Sequence, residues 1–161
     1  MSDKPRRRSL VFNNLDEVTH DAEALLAKGY DKAGQWDLAQ CANHLADWMR
    51  FPVEGFPKPP APIRAMLWMM RKTIGRKKLL TYLKDKSFPA GKPTMPQTVI
   101  APGGDAKAAV EKLKASVEKL KAFTGTIVPS PLFGAMTKDE AVGMQLVHAA
   151  HHLSFLVPKN G

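Results

Sequence analysis

The sequence predicts an all-α protein, a four-helix bundle with an additional basic helical insertion between helices two and three. Three observations predict it. Apolar residues recur at helical spacing in four stretches, and three of these open on a capping residue with Glu or Gln three positions later: Asn14/Glu17, Asp37/Gln40 and Thr137/Glu140. No stretch alternates as a strand would, Thr98-Val99-Ile100 being too short to count. Finally, 161 residues of which 44% are hydrophobic suffice for one domain over 1–161 with a real core, and are too few for two.

Residues 1–9 read as a flexible basic arm carrying Lys4, Arg6, Arg7 and Arg8. The arginine pair is no twin-arginine signal, because Asp16, Glu17, His20 and Asp21 stand where an apolar segment would have to follow. Helix one starts after Asn14, buries Leu15, Val18, Ala22, Leu25 and Leu26, and stops at Gly29, leaving His20 off the stripe and solvated. Helix two starts after Asp37 and runs to about Phe51, where Pro52 ends it. Its stripe is Leu38, Cys41, Ala42, Leu45, Trp48 and Met49, with His44 on the border.

Prolines 57, 59, 60 and 62 then make a rigid extended connector. The insertion, 63–86, reads as a helix interrupted at Gly75. It combines Met66, Leu67, Trp68, Met69 and Met70 with eight basic residues opposed only by Asp85. The expectation is that its Met66, Leu67, Trp68 and Met70 side packs on the bundle or on a second subunit, with the basic face in solvent. Proline and glycine return from Phe88 to Gly104, a loop long enough to be functional or mobile. Helix three opens at Asp105, buries Val110, Leu113, Val117 and Leu120, and ends by Gly125. Helix four runs from Thr137 to about Leu156, with Ala141, Gln145, His148, His152 and Leu156 facing inward.

Composition narrows the setting. With Cys41 as the single cysteine, no intramolecular disulfide can form and no CxxC pair exists, which suits a reducing compartment, the cytoplasm by default. No run of about 18 apolar residues exists to span a membrane. The formal net charge of +9 favours anionic partners without naming one, and no clear nucleic-acid motif accompanies it.

The chemistry concentrates in His148-Ala149-Ala150-His151-His152. On a helix, at about 100° per residue, His148 and His152 lie about 40° apart and one turn along, so one ion can touch both. His151 falls about 60° to the other flank, at the rim or behind the ligands. No glutamate follows the first histidine, which excludes the H-E-x-x-H zinc-protease pattern. Bundles build metal sites from facing helices, and His44 is the other histidine that faces inward. Gln40, Asp47 and Gln145 are the nearest candidates by spacing to orient the histidines. Cys41 reads as a small core residue that could approach the site, and Trp36, Trp48 and Phe155 as core aromatics or pocket walls.

The run Trp36-Asp-Leu-Ala-Gln-Cys-Ala-Asn-His44-Leu45 with the downstream His148-Ala-Ala-His151-His152-Leu153 resembles the DinB-like (YfiT-like) superfamily of metal-binding four-helix bundles, a name shared with an unrelated DNA polymerase. Arg8 to Phe12, and Pro131-Leu-Phe-Gly134 before Thr137, resemble a narrower subfamily for which a fold and no reaction is implied. The resemblance implies a ligand triad of one histidine from helix two and an i, i+4 pair from helix four, here His44, His148 and His152. It implies a divalent ion, zinc, nickel or iron, and either metal-dependent hydrolysis or transfer of a low-molecular-weight thiol to an electrophile. The partner is then a small-molecule substrate, and a homodimer is compatible with it. The competing expectation is a non-catalytic binding module whose basic, Met-rich insertion docks on anionic lipid, nucleic acid or a protein.

Overall fold

The structure is a computed structural model that describes residues 5–89 and 98–159. Met1–Lys4 of the basic arm and 90–97 of the proline- and glycine-containing loop lie outside the described residues. Among the described residues the chain is mostly helical, with one small two-stranded sheet. In order it forms α1 (Leu15–Lys28), β1 (Tyr30–Lys32), α2 (Leu38–Glu54), α3 (Ala61–Met70), a π turn (Arg71–Gly75), α4 (Arg76–Asp85), α5 (Ala106–Ala122), α6 (Lys138–Leu153) and β2 (Leu156–Pro158).

Helix starts lie where the caps predict. Asn14, Asp37, Asp105 and Thr137 each accept a hydrogen bond from the backbone N–H three residues on, and Asp37/Gln40 and Thr137/Glu140 close the full reciprocal box. Asp37 also takes the Gly103 N–H on its second oxygen at 3.0 Å, fastening the loop before α5 to the start of α2. Asp37→Ala removes both bonds, and a loss of about 1–2 kcal/mol in urea unfolding is expected, the upper range for a helix cap.

The core forms where α1, α2, α5 and α6 meet, α2 lying most extensively on α5. Leu25, Leu38, Leu45, Met49, Leu113, Leu120 and Leu153 are fully buried there, each side chain contributing about 1.5–3 kcal/mol of transfer free energy. Leu26, which the periodicity places on the α1 stripe, is instead exposed.

Several expectations are corrected. α2 continues through Pro52 to Glu54. Proline in the last turn forfeits one helical bond only, and the Pro52 carbonyl recovers a partner by accepting from Val128 N–H at 2.9 Å. α3 already begins at Ala61, with Pro62 in the first turn, where a missing N–H would be unpaired anyway. α6 ends at Leu153, and Leu156 belongs to β2, which pairs antiparallel with β1 through Tyr30–Pro158, Asp31–Val157 and Lys32–Leu156. The basic arm is anchored at Arg7 and Arg8. The Arg8 guanidinium grips both Asp21 oxygens at 2.8 and 2.7 Å, and its backbone N–H donates to Ser154. Arg7 donates to Ser154 Oγ and lies over the Phe155 ring.

The insertion packs differently from the expectation. Of the side expected to pack, Met66 and Trp68 are exposed while Leu67 and Met70 are half-buried, and α3 buries no residue. Contact with the rest of the fold is made by the π turn and α4, through fully buried Leu79 and buried Gly75. A β-carbon at Gly75 would collide with the Leu132 carbonyl oxygen, and one at Gly143 on α6 would lie 2.7 Å from Leu83. Two glycines thus let α4 settle against α6 and the 130–134 turn. Arg76 adds a bidentate pair with Glu140, 2.9 and 2.6 Å, so α6 supplies an acid that the insertion lacks.

Candidate metal centre

α2 and α6 place their histidines face to face. His44 lies on α2 two turns after its cap and is 1% exposed, while His148 and His152 are one turn apart on α6. The His148 Nε2 is 3.2 Å from His44 Nε2 and 3.0 Å from His152 Nε2, and the three ligand atoms lie within 4.8 Å of one another. Around a tetrahedral zinc with bonds of about 2.0–2.1 Å, ligand nitrogens stand about 3.3–3.4 Å apart, close to these separations.

Surroundings fix the rings. His44 Nδ1–H donates to the Thr98 carbonyl at 2.8 Å, which leaves the Nε2 lone pair free toward the other two rings. Trp36 stacks on His152 with centroids 5.1 Å apart and planes 14° apart, and meets His44 edge-on. Trp48 packs edge-on against His148. One cation would satisfy all three Nε2 atoms at once, with His148 and His152 in the tautomer that protonates Nδ1, whereas an imidazole N–H there serves only part of them. The residues present therefore fit a divalent ion.

Burial holds all of these rings neutral. His44 is pushed below its ordinary pKa by desolvation, against the Thr98 hydrogen bond. His148 is driven well below by burial first and then by the neighbouring His152, His44 and His151. His152 falls to about 2, by burial and then by His44. His151 falls to about 4 through burial and then the Arg7 charge. A histidine with a lowered folded pKa takes up its proton more readily when unfolded, so it costs nothing above about pH 6.5 and destabilises the fold as pH drops below it. EDTA-treated protein should accordingly lose thermal stability as pH falls from about 6.5 to about 5, by up to about 1.4 kcal/mol per pH unit for each ring of the triad, and His148→Ala should flatten that slope.

The remaining candidates are disposed as follows. His151 points aside, its Nδ1 3.2 Å from the Arg7 guanidinium. Gln40 spends its carboxamide on the Asp37 N–H and on the Ile100 carbonyl, and so touches no histidine. Its effect is indirect, steadying the segment whose Thr98 carbonyl orients His44. Asp47 is engaged by Lys112 at 2.9 Å and by Arg50. Cys41 Sγ is 4.0 Å from the His152 carbonyl, and burial pushes its thiol up to about 12, which leaves it protonated and inert.

The triad opens on a cavity of about 260 Å³, with Gln145 in its wall. Sequence reasoning missed much of this lining. Tyr82 of the insertion, Phe88 and the 130–136 segment enclose it, and Ser130 Oγ accepts from Leu132 N–H and Phe133 N–H to hold that turn. A second, smaller opening, about 210 Å³, is lined by Trp36, Cys41, His151, His152 and Phe155. Among the described residues no helix is long and apolar enough to cross a membrane.

No curated protein and no solved structure matches the chain. A family does match it over residues 4–159, nearly end to end and with every residue of the triad inside the match. The chain belongs to that family, described as "Protein of unknown function (DUF1569)".

Proposed function

We propose that the chain is a divalent-metal-dependent enzyme, a hydrolase or a low-molecular-weight-thiol transferase, in which His44, His148 and His152 hold the ion. The observation that carries this reading is the convergence of three Nε2 atoms beside an aromatic-walled cavity. The architecture proposed for it is a DinB-like four-helix bundle of α1, α2, α5 and α6, with Ala61–Asp85 inserted. Three neutral imidazoles carry no compensating negative charge and leave one position of a four-coordinate site open, a catalytic rather than a structural pattern. Zinc, nickel or iron held there would lower the pKa of a bound water or thiol. The chain's own side chains orient and exclude. The Thr98 carbonyl sets the His44 tautomer, Trp36 and Trp48 hold the ring planes, and the apolar wall limits entry to small molecules.

Metal analysis of protein purified without a histidine tag tests this, with about one ion per chain expected for a three-imidazole site. Failure to retain zinc, nickel or iron(II) after loading and dialysis would overturn it. Loaded protein offered a thiol with an electrophile, and in parallel small esters and amides, separates the two reactions.

A second reading is favoured by one observation. Met66, Trp68 and Met69 are 48%, 57% and 57% exposed on a helix that also exposes Arg64, with Lys72 following in the π turn, as on a surface that docks on anionic lipid. Binding to phosphatidylserine vesicles that persists at physiological salt would favour it, since attraction by charge alone fades as salt rises.

A further inference from the structure

Between the 56–71 stretch and residues 128–131 lies a groove of about 650 Å³, separate from the histidine cavity and sharing only Phe56 with it. Its walls are stiff. Prolines 57, 59, 129 and 131 fix the backbone on both sides, and Val128 N–H is tied to the Pro52 carbonyl at 2.9 Å. Apolar surface comes from Phe56, Leu67 and Trp68, the last of them 57% exposed. Three cations, Lys58, Arg64 and Arg71, stand in the same lining, and no acid does. Among the described residues none of the three enters an ion pair or a side-chain hydrogen bond, whereas Arg76 of α4 has Glu140. The Arg71 stem lies against Gly134, its Cγ and Cδ 3.5 Å from where a β-carbon there would stand, so packing holds it at this wall. Lys58 and Arg64 are exposed, and side chains of their length and flexibility reach an anion seated anywhere along the groove.

We infer that this groove binds a monomeric amphiphilic anion, an apolar body bearing a head group such as a carboxylate, with the body on Trp68 and Phe56 and the head met by Lys58, Arg64 and Arg71. Neither the triad nor its ion takes part. A preformed, mainly apolar cleft of about 650 Å³ with a few charged groups is of the size and kind that holds a small molecule. Charge decides the head group, because a cation would be repelled by all three side chains and a neutral group would gain nothing from them. A flat bilayer is a poorer match, since the space is recessed between two stretches of chain. At about 100° per residue, Arg64, Trp68 and Arg71 share one face of α3 and its continuation. Met66 and Met69 lie on the opposite face and line no part of the groove. The side chains that would enter lipid are thus turned away from the cations gathered here.

The probes are decanoate, 1-decanol and decyltrimethylammonium, which share an alkyl chain and differ in head charge. Titration calorimetry on the EDTA-treated full chain, where no ion can capture the carboxylate, should find decanoate at least about 10-fold tighter than 1-decanol, the factor expected for one charge-assisted contact. The ammonium should not bind. Lys58→Glu and Arg64→Glu should each weaken decanoate by about 10-fold and leave 1-decanol within about 2-fold. Trp68→Ala should weaken decanoate and 1-decanol alike, and Met66→Ser neither. All four residues are exposed, so the variants should keep the wild-type circular dichroism. Equal affinity for decanoate and 1-decanol, no binding of either, or decanoate affinity unmoved by both charge reversals would overturn the inference. So would retention on phosphatidylserine vesicles without affinity for monomeric decanoate, which would assign the cations to a membrane surface. His148→Ala, which removes the ion site, should bind decanoate as the wild type does. Loss of decanoate with His148 would place the carboxylate in the histidine cavity and overturn the inference while leaving the metal reading standing.

Discussion

His148→Ala is expected to abolish metal retention while leaving the helices folded. His148 is the apex of the triad, 3.2 and 3.0 Å from the two other ligand atoms, so its removal leaves two imidazoles with no third to close the site. Alanine is the better helix former and the lost ring faces the cavity, so helical content should hold. The contrast is His151→Ala, three residues along the same helix. That ring is turned toward Arg7, and metal content should fall little. Equal loss from both variants would mean that the ion is held elsewhere on α6. Loss from neither would leave a structural histidine cluster. EDTA should lower the wild-type melting temperature and leave that of His148→Ala unmoved, because an ion at a hundred times its dissociation constant contributes about 3 kcal/mol to the folded state alone.

Gly75→Ala is expected to destabilise the fold by about 1–3 kcal/mol, the range for overpacking an interior contact. The atom its methyl would meet is the Leu132 carbonyl oxygen, part of the backbone, which cannot swing aside as a side chain could. Either the π turn or the 130–134 turn must retreat. That turn is cross-bonded between Ser130 and Gly134 at 2.8 and 2.9 Å, and it carries Leu132 and Phe133 into the cavity wall. The urea midpoint should fall with an unchanged denaturant slope. Exposed Ile74 next door should tolerate alanine within about 0.5 kcal/mol.

Local rules carried the sequence reading far. A side chain three residues before the N–H it caps is a short-range event, so the starts of α1, α2, α5 and α6 were legible, while α3, which has no side-chain cap, was read two residues late. The grouping of His44 with His148 and His152 was legible too, since each faces inward at helical spacing. Gln40 and Asp47 fit the spacing equally well, but the Asp37 and Ile100 backbone claims one and Lys112 and Arg50 claim the other. The actual partner of His44 is a main-chain carbonyl, which every residue possesses and no residue type announces. The insertion defeated periodicity for a different reason. A π turn resets the angular phase between α3 and α4, so apolar residues on either side of it do not share one stripe. The β1–β2 ribbon is three residues a side, and neither strand has an alternation long enough to read.

The His44–His148 contact closes 104 positions of chain, and the Arg7 and Arg8 contacts to the last turn of α6 and the residues after it close still more. Such a site has no local precursor. While α6 is still being synthesised, a nascent chain already carrying α1, α2 and α5 can compact around its leucines, yet it offers an ion one imidazole from the triad. Pairing across so long a loop comes late, because its closure entropy has to be met before any contact rewards it. Metal capture should thus report completion of the fold. Release from a ribosome-stalled chain ending before Ala141 should yield a helical species that takes up no ion, and the full chain should acquire the ion together with its last cooperative unit of structure.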